Sequence, residues 1–379
     1  MKKDNSLSYF YAPWKKGVFY VNSGMKKRIF TIFLFSFFYA SNMYMSDDYP
    51  SIRTEGCTDE LACNYDLCSE YDDGSCEYSC HDNGEYSLYF DGNDYIDCGN
   101  PHQLRITGAL TYSAWVSLYD YTNYSGVMGR GHGSSGDASS VASMMMITPQ
   151  GRVLFEISDG SSSPQISSNL LIPTNSEPYH IVCTWDGGMS ENSMKIYING
   201  ELDSYGPSNI SSINLNPSDG NFFRLGNRDC CAADPENESL GHLRGTLYKA
   251  SVWNFDLSES EVMVNYLTPE LAGNEEGLLA YWKFVEGQGK TLYDYSGNQN
   301  HGLLPGEGYW WNPEPSWVCL NECEGCTDEL ACNYSSEATI ENGSCAYVVD
   351  CNDQCGGLGV EDCAGVCNGC SVHDDCGVC

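Results

Sequence analysis

Two short segments of this 379-residue chain gather the hard oxygen donors that divalent cations prefer. One is Asp91-Gly-Asn-Asp94; the other runs Asp294-Tyr-Ser-Gly-Asn298-Gln-Asn300. Asp91, Asp94, Asp294 and Asn298 are the candidate metal ligands, with calcium as the ion. Ordinary turns use the same residue types, so plain turn chemistry is the competing reading. A second chemistry is offered by aromatic rings. Tyr119-Asp-Tyr-Thr-Asn-Tyr124 places Tyr119, Tyr121 and Tyr124 in one loop, and Tyr309-Trp-Trp-Asn312 forms another cluster. Such rings stack on sugar faces, or else pack edges and inter-module contacts.

Catalytic signatures are missing. A hydrolase cleft in a β-sandwich would need two carboxylates at alternating strand positions, and no E-x-D-x-E pattern is present. Glu156 and Asp159 would face opposite sides of one strand. Neither G-x-S-x-G nor HExxH occurs, and Gly289-Lys-Thr291 lacks the first glycine of a phosphate loop. His180 and His301 have no nucleophile partner nearby in sequence and read as surface or packing residues. The expectation is a protein without catalysis. Asp234-Pro-Glu-Asn-Glu238 is acidic but lacks EF-hand spacing.

Those candidates must be held by a framework, and the cysteines outline it. The ten residues Gly56-Cys-Thr-Asp-Glu-Leu-Ala-Cys-Asn-Tyr65 recur as Gly325–Tyr334, 269 positions on. Each copy closes with Gly-Ser-Cys-x-Tyr, ending at Tyr78 and Tyr347. Five of the 21 cysteines lie between Cys57 and Cys80, five between Cys319 and Cys345, and seven between Cys351 and Cys379. Such clustering in small Gly- and Asp-rich segments reads as disulfide staples for pieces too small to bury a core. Cys57, Cys63, Cys76, Cys80, Cys326, Cys332, Cys345 and Cys351 are the candidate bridge residues, with Cys57–Cys76 and Cys326–Cys345 as suggested pairs. Zinc is the rival, but Cys367/Cys370 and Cys376/Cys379 sit too close together for a knuckle pair. Cys230 and Cys231 are adjacent, and one of them pairing with Cys98 or Cys183 is left open.

The charge is −34, and 7 of the 18 basic side chains fall in the first 28 residues. So acidic a surface repels phosphate backbones, which excludes nucleic acid as the expected partner. Met25-Lys-Lys-Arg28 followed by the apolar run 29–40 reads as a signal peptide over 25–45. Its weak cleavage site leaves an uncleaved N-terminal anchor as the alternative, and the only expected link to a membrane. Residues 1–24 read as an upstream extension of the reading frame.

Between the cysteine copies the pattern is β. Tyr112, Ala114, Val116 and Leu118 alternate with Ser113, Trp115 and Ser117; Val153, Phe155 and Ile157 form another run. Asn199-Gly200 is a hairpin signal. Ser258-Glu-Ser-Glu261 is a capping box for one short helix on the rim. Trp115, Trp185 and Trp253 are expected in the core. The fold class is therefore all-β, a two-sheet antiparallel sandwich with one helix and small disulfide-rich flanks.

The ordered series Phe90–Ile96, Tyr112–Val116, Tyr179–Gly187, Lys195–Glu201 and Gly245–Trp253 resembles LamG-like, concanavalin A-like jelly rolls. The resemblance covers about 60% of the chain. It departs in one respect: 277–287 and 294–302, which often open such domains, come last here. They are expected to fill the same slot in the sandwich. In that arrangement the resemblance implies that Asp91, Asp294 and Asn298 share one calcium ion. The cysteine copies resemble modules of large secreted or surface proteins of marine bacteria, and the tail resembles their DCxGVC arrays. The expected organisation is cysteine module 56–80, jelly roll 84–318, second module 319–349 and an array over 350–379 that breaks off within a unit, as in a piece of a longer protein. The expected function is a secreted or cell-surface protein binding an extracellular glycan or surface polymer. The alternatives are a structural or adhesive spacer, or an accessory module of a larger exoenzyme.

Overall fold

The computed structural model describes residues 54–121, 124–131, 141–175, 177–215, 222–227, 241–305, 315–320, 324–334, 338, 340–351, 355–357 and 359–367. They fall in one compact unit spanning residues 52–379. The N-terminal apolar run, the Tyr309–Asn312 cluster, Cys230, Cys231, the 234–238 loop and the array beyond 367 lie outside the described residues.

The first cysteine module contributes β1 (Glu55–Gly56), paired in parallel with β2 (Tyr71–Asp72), and a 3-10 turn at Ser79–His81. The sandwich follows with β3 (Tyr86–Asp91), β4 (Ile96–Asp97), β5 (Leu110–Leu118), β6 (Ser125–Gly131) and β7 (Val141–Ile147). Next come β8 (Arg152–Ile157), β9 (Gln165–Leu171), β10 (Tyr179–Trp185), β11 (Met194–Ile198), β12 (Glu201–Gly206), β13 (Phe223–Leu225) and β14 (Arg244–Trp253). Helix α1 (Glu259–Leu267) precedes β15 (Leu278–Trp282), β16 (Thr291–Leu292), β17 (Gly302–Leu303) and β18 (Ser316–Cys319). The second module adds β19 (Glu324–Gly325) and β20 (Ile340–Glu341), again parallel.

Two antiparallel sheets face each other. The first runs β12-β11-β10-β5-β14-β3-β18, with β15 also on β14; the second runs β16-β17-β4-β13-β6-β7-β8-β9. The period-2 alternation of the strands sends one set of side chains inward. Tyr112, Ala114, Val116 and Leu118 of β5 meet Val153, Phe155 and Ile157 of β8 in a single core with Trp185, Trp282 and Phe223. The β11–β12 hairpin turns on Asn199 (φ 51°) and Gly200 (φ 83°), the two left-handed residues that a type I′ turn requires.

The C-terminal strands belong to this sandwich. One edge of β14 is shared: its first half pairs with Leu88–Asp91 of β3, its second half with Leu278–Trp282 of β15. After β15 the chain crosses to the second sheet, where β17 pairs with β4. Helix α1 begins at Ser258, whose hydroxyl accepts from Glu261 N while Glu261 reaches back to Ser258 N. It lies on the outer face of the first sheet, not on the rim. Val262 packs with Val182, Tyr197, Trp253, Leu278 and Tyr281 in a second apolar cluster. Among the described residues, no helix is long and apolar enough to cross a membrane.

Candidate functional site

One end of the sandwich collects much of the chemistry read from the sequence. The C-terminal end of β3, the C-terminal end of β5 and the N-terminal end of β14 meet there, since Asp91 pairs with Arg244 and Tyr119 N donates to Arg244 O. Tyr119 is 45% exposed, packs edge-on against Tyr89 at 5.3 Å, and lies near Thr246 Oγ1 through its hydroxyl. Tyr124 is 43% exposed at the entry to β6, whereas Tyr121 is half-buried against the core. The Arg244 guanidinium lies 3.6 Å from Asp120.

Asp91 and Asp94 sit at this same end. Asp94 is buried, and its Oδ2 accepts the Asp91 amide at 2.6 Å. Burial pushes its carboxyl up to about 7, and the neighbouring Asp91 charge adds to the rise. Asn93 Oδ1, between them in sequence, is buried without a hydrogen-bond partner. Two carboxylates and an orphan amide oxygen on four consecutive residues are a donor set that suits calcium.

Asp294 and Asn298 do not join them. Both oxygens of Asp294 are taken up by amides: Oδ1 accepts from Tyr281 N and Ser296 N, Oδ2 from Asn300 N, each at 2.9 Å. The side-chain amide of Asn298 donates to the carbonyls of Leu278 and Leu279. Asp294 bridges to Trp282, which pairs with Ala250, whereas Asp91 pairs with Arg244 six residues back along β14. Six extended residues span roughly 20 Å. The relocated segment therefore fills its strand positions while its turn lies far from the Asp91 end, and a shared ion is corrected to a local turn anchor. Among the described residues, Asp91, Asp94 and Asp294 fall in no common group of converging ligand atoms.

A feature missed in the sequence lies on the outer face of the first sheet. Trp115 is not in the core: it is half-buried outside it, stacked on His180 (5.0 Å) and on Tyr266 of α1 (5.7 Å). Its strand phase, shared with Ser113 and Ser117, was the available signal. A cleft of about 590 Å³ opens beside it, lined by Tyr86, Trp115, Tyr248, Lys249, Glu270 and Lys283 among others. Lys249 pairs with Glu270, Lys283 with Asp82 at 2.9 Å, and Tyr281 Oη donates to Glu270 at 3.1 Å. His180 of β10, stacked on Trp115, is buried with Nε2 2.9 Å from Ser113 Oγ. Among the described residues this comes nearest to a nucleophile–base pair. Its Nδ1 has no hydrogen-bond partner, however, and burial pushes the imidazole down to about 4. Trp185 is in the core, and Trp253 packs under α1.

The described cysteines of both modules are bonded. Cys57 joins Cys76, Cys63 joins Cys80, Cys326 joins Cys345, Cys332 joins Cys355, and Cys351 joins Cys367. Cys98 and Cys183 are free and buried, so the option of pairing either with Cys230 or Cys231 is corrected. Both thiols lie in the sandwich core, where burial raises their pKa.

The first module is docked on the sandwich through the other sequence-flagged histidine. His301 Nε2 lies 2.8 Å from Asp59 Oδ2, the same oxygen that accepts the Tyr78 hydroxyl at 2.5 Å. The Tyr78 ring lies among Tyr293, Tyr295 and His301, and His81 stacks on Tyr293 at 3.8 Å.

Comparison with known proteins places this framework. No curated protein matches the sequence. Among solved structures, the chain is similar to a Bacteroides ovatus protein proposed to bind carbohydrate (18% identity, TM-score 0.46), over 62% of this chain and 60% of that one. It is also similar to a heptameric SAP-like pentraxin of Limulus polyphemus (18%, TM-score 0.34; 48% and 82% covered). A third is the CBM40 of the Ruminococcus gnavus IT-sialidase (15%, TM-score 0.36; 47% and 95% covered). Residues 90–263, which lie within the sandwich, match the family model of the concanavalin A-like lectin/glucanases superfamily.

Proposed function

We propose that this is a secreted or cell-surface, non-catalytic protein whose concanavalin A-like domain binds carbohydrate. The observation that carries this reading is the cleft over the outer face of the first sheet. Its volume of about 590 Å³ suits a short oligosaccharide. Trp115 and Tyr248 offer apolar ring surface, while Lys249, Glu270 and Lys283 offer donors and acceptors for hydroxyls. The bridged cysteines favour an oxidising compartment. The unoriented, low-pKa imidazole of His180 favours binding over catalysis. Calcium held by Asp91, Asp94 and Asn93 Oδ1 would order the sandwich end that bears Tyr119 and Tyr124.

A glycan array of the full chain, with and without EDTA, tests the proposal, together with Trp115→Ala, Tyr248→Ala and Tyr119→Ala. The cleft reading expects loss of signal in the first two variants and retention in the third. Loss only in Tyr119→Ala moves the site to the Tyr119 end. No glycan signal in any condition leaves the spacer reading in its place.

A further inference from the structure

The two cysteine modules are the same device seen in two states. Inside each, an Asn bridges the loop: Asn64 Nδ2 donates to Ser75 O and its Oδ1 accepts from Glu77 N, as Asn333 does with Ser344 O and Ala346 N. Asp59 accepts the Tyr78 hydroxyl, and Asp328 accepts the Tyr347 hydroxyl at 2.8 Å. The Cys57–Cys76 and Cys326–Cys345 bridges have the same 19-residue separation. The surroundings differ. In the first module Tyr78 is 2% exposed, lodged against Tyr293, Tyr295 and His301 of the sandwich. In the second, Tyr347 is 61% exposed and Leu330 86%.

We infer that the Asp328–Tyr347 face of the second module is a docking surface for another concanavalin A-like domain, one that presents a Tyr/His cradle like Tyr293, Tyr295 and His301. The first module shows how the face is covered: a histidine donates to the aspartate and two tyrosine rings enclose the tyrosine. An aromatic ring left mostly in water beside an exposed Leu is apolar surface without a partner, and the corresponding ring of the first module, Tyr78, is enclosed, although Leu61 there stays 43% exposed. The modules differ after the Tyr: Cys63 bridges to Cys80, whose counterpart is Val349, while Cys332 bridges to Cys355. His81, which stacks on Tyr293, corresponds to Asp350, so docking of the second module rests on the Asp–Tyr pair alone.

The test uses full chains. An acceptor carrying Asp59→Ala and Tyr78→Ala frees its own cradle, and the tagged wild-type chain is the probe. Binding is read by interferometry, and the sandwich of the acceptor is checked by its thermal transition. The expected result is saturable binding that falls at least tenfold with a D328A/Y347A probe. It should fall equally when the acceptor also carries His301→Ala. If the double-substituted acceptor loses its transition, Asp59→Ala alone serves as acceptor with the same comparisons. Absence of binding to a folded acceptor overturns the inference, as does equal binding by wild-type and D328A/Y347A probes.

Discussion

His301 joins two parts of the chain in a single tautomer. Its Nδ1 accepts the Asp294 amide at 3.0 Å, which leaves Nε2–H to donate to Asp59 at 2.8 Å. Burial by itself would raise the Asp59 carboxyl, but the hydrogen bonds from His301 and Tyr78 outweigh it and hold the group below its ordinary value. A group lowered in this way stabilises the fold above the ordinary carboxylate range, and the contribution is lost as pH falls through the lowered value. His301→Ala removes the donor and strips the Asp294 amide of its acceptor. The expected cost is about 1–3 kcal/mol in urea unfolding, with faster amide exchange across residues 57–80. A change too small to resolve would mean that the tyrosine rings alone hold the module.

Calcium at the Asp91–Asp94 segment makes a separable prediction. A ligand at a hundredfold its dissociation constant stabilises the native state by about 2.7 kcal/mol. Calcium should therefore raise the melting temperature of the wild type and not that of Asp94→Asn. Because Asp94 keeps its proton up to about 7, the response should weaken as pH falls through that value. Asp294→Asn should lower stability yet keep the calcium response, since Asp294 closes a turn with three amides. Loss of the response in Asp294→Asn would restore the shared-ion arrangement.

Helix α1 offers a local check. Ser258→Ala removes the acceptor for Glu261 N, and the expected loss is about 1 kcal/mol. Because α1 covers Val182 and Tyr197 and supplies Tyr266 beside Trp115, the same variant should also weaken ligand binding in the outer cleft. Unchanged binding would separate the helix from the cleft.

What could be read from the chain follows how local each determinant is. The β5 alternation, the Asn199-Gly200 turn and the Ser258–Glu261 box are encoded within a few residues, and each forms as its pattern implies. Trp115 was misplaced because residue type outweighed strand phase: an aromatic ring in a strand looks like core, yet its neighbours Ser113 and Ser117 share the outward phase. The Asp294 turn was ambiguous in principle, because Asp and Asn bind cations and close turns with the same oxygens. The Asp59–His301 contact spans 242 residues, and no local pattern reports it.

Two buried ionisable groups give opposite pH signatures, which makes them distinguishable. Burial pushes Glu286 up to about 7, with Oε2 left without a partner, and pushes His180 down to about 4. Between about 4.5 and 7 the native state holds a proton on Glu286 that the unfolded chain releases, so this contribution to stability falls as pH rises. Between about 4 and 6.5 the unfolded chain binds a proton that native His180 refuses, so that contribution falls as pH drops. Each amounts to about 3 kcal/mol across its window, and over most of the range they offset one another. Urea unfolding of Glu286→Gln should therefore show a gain over wild type that widens from pH 4 to pH 8. For His180→Gln the gain should widen in the opposite direction, toward acid. A variant whose difference from wild type does not change with pH would show that its residue titrates alike in the folded and unfolded chains.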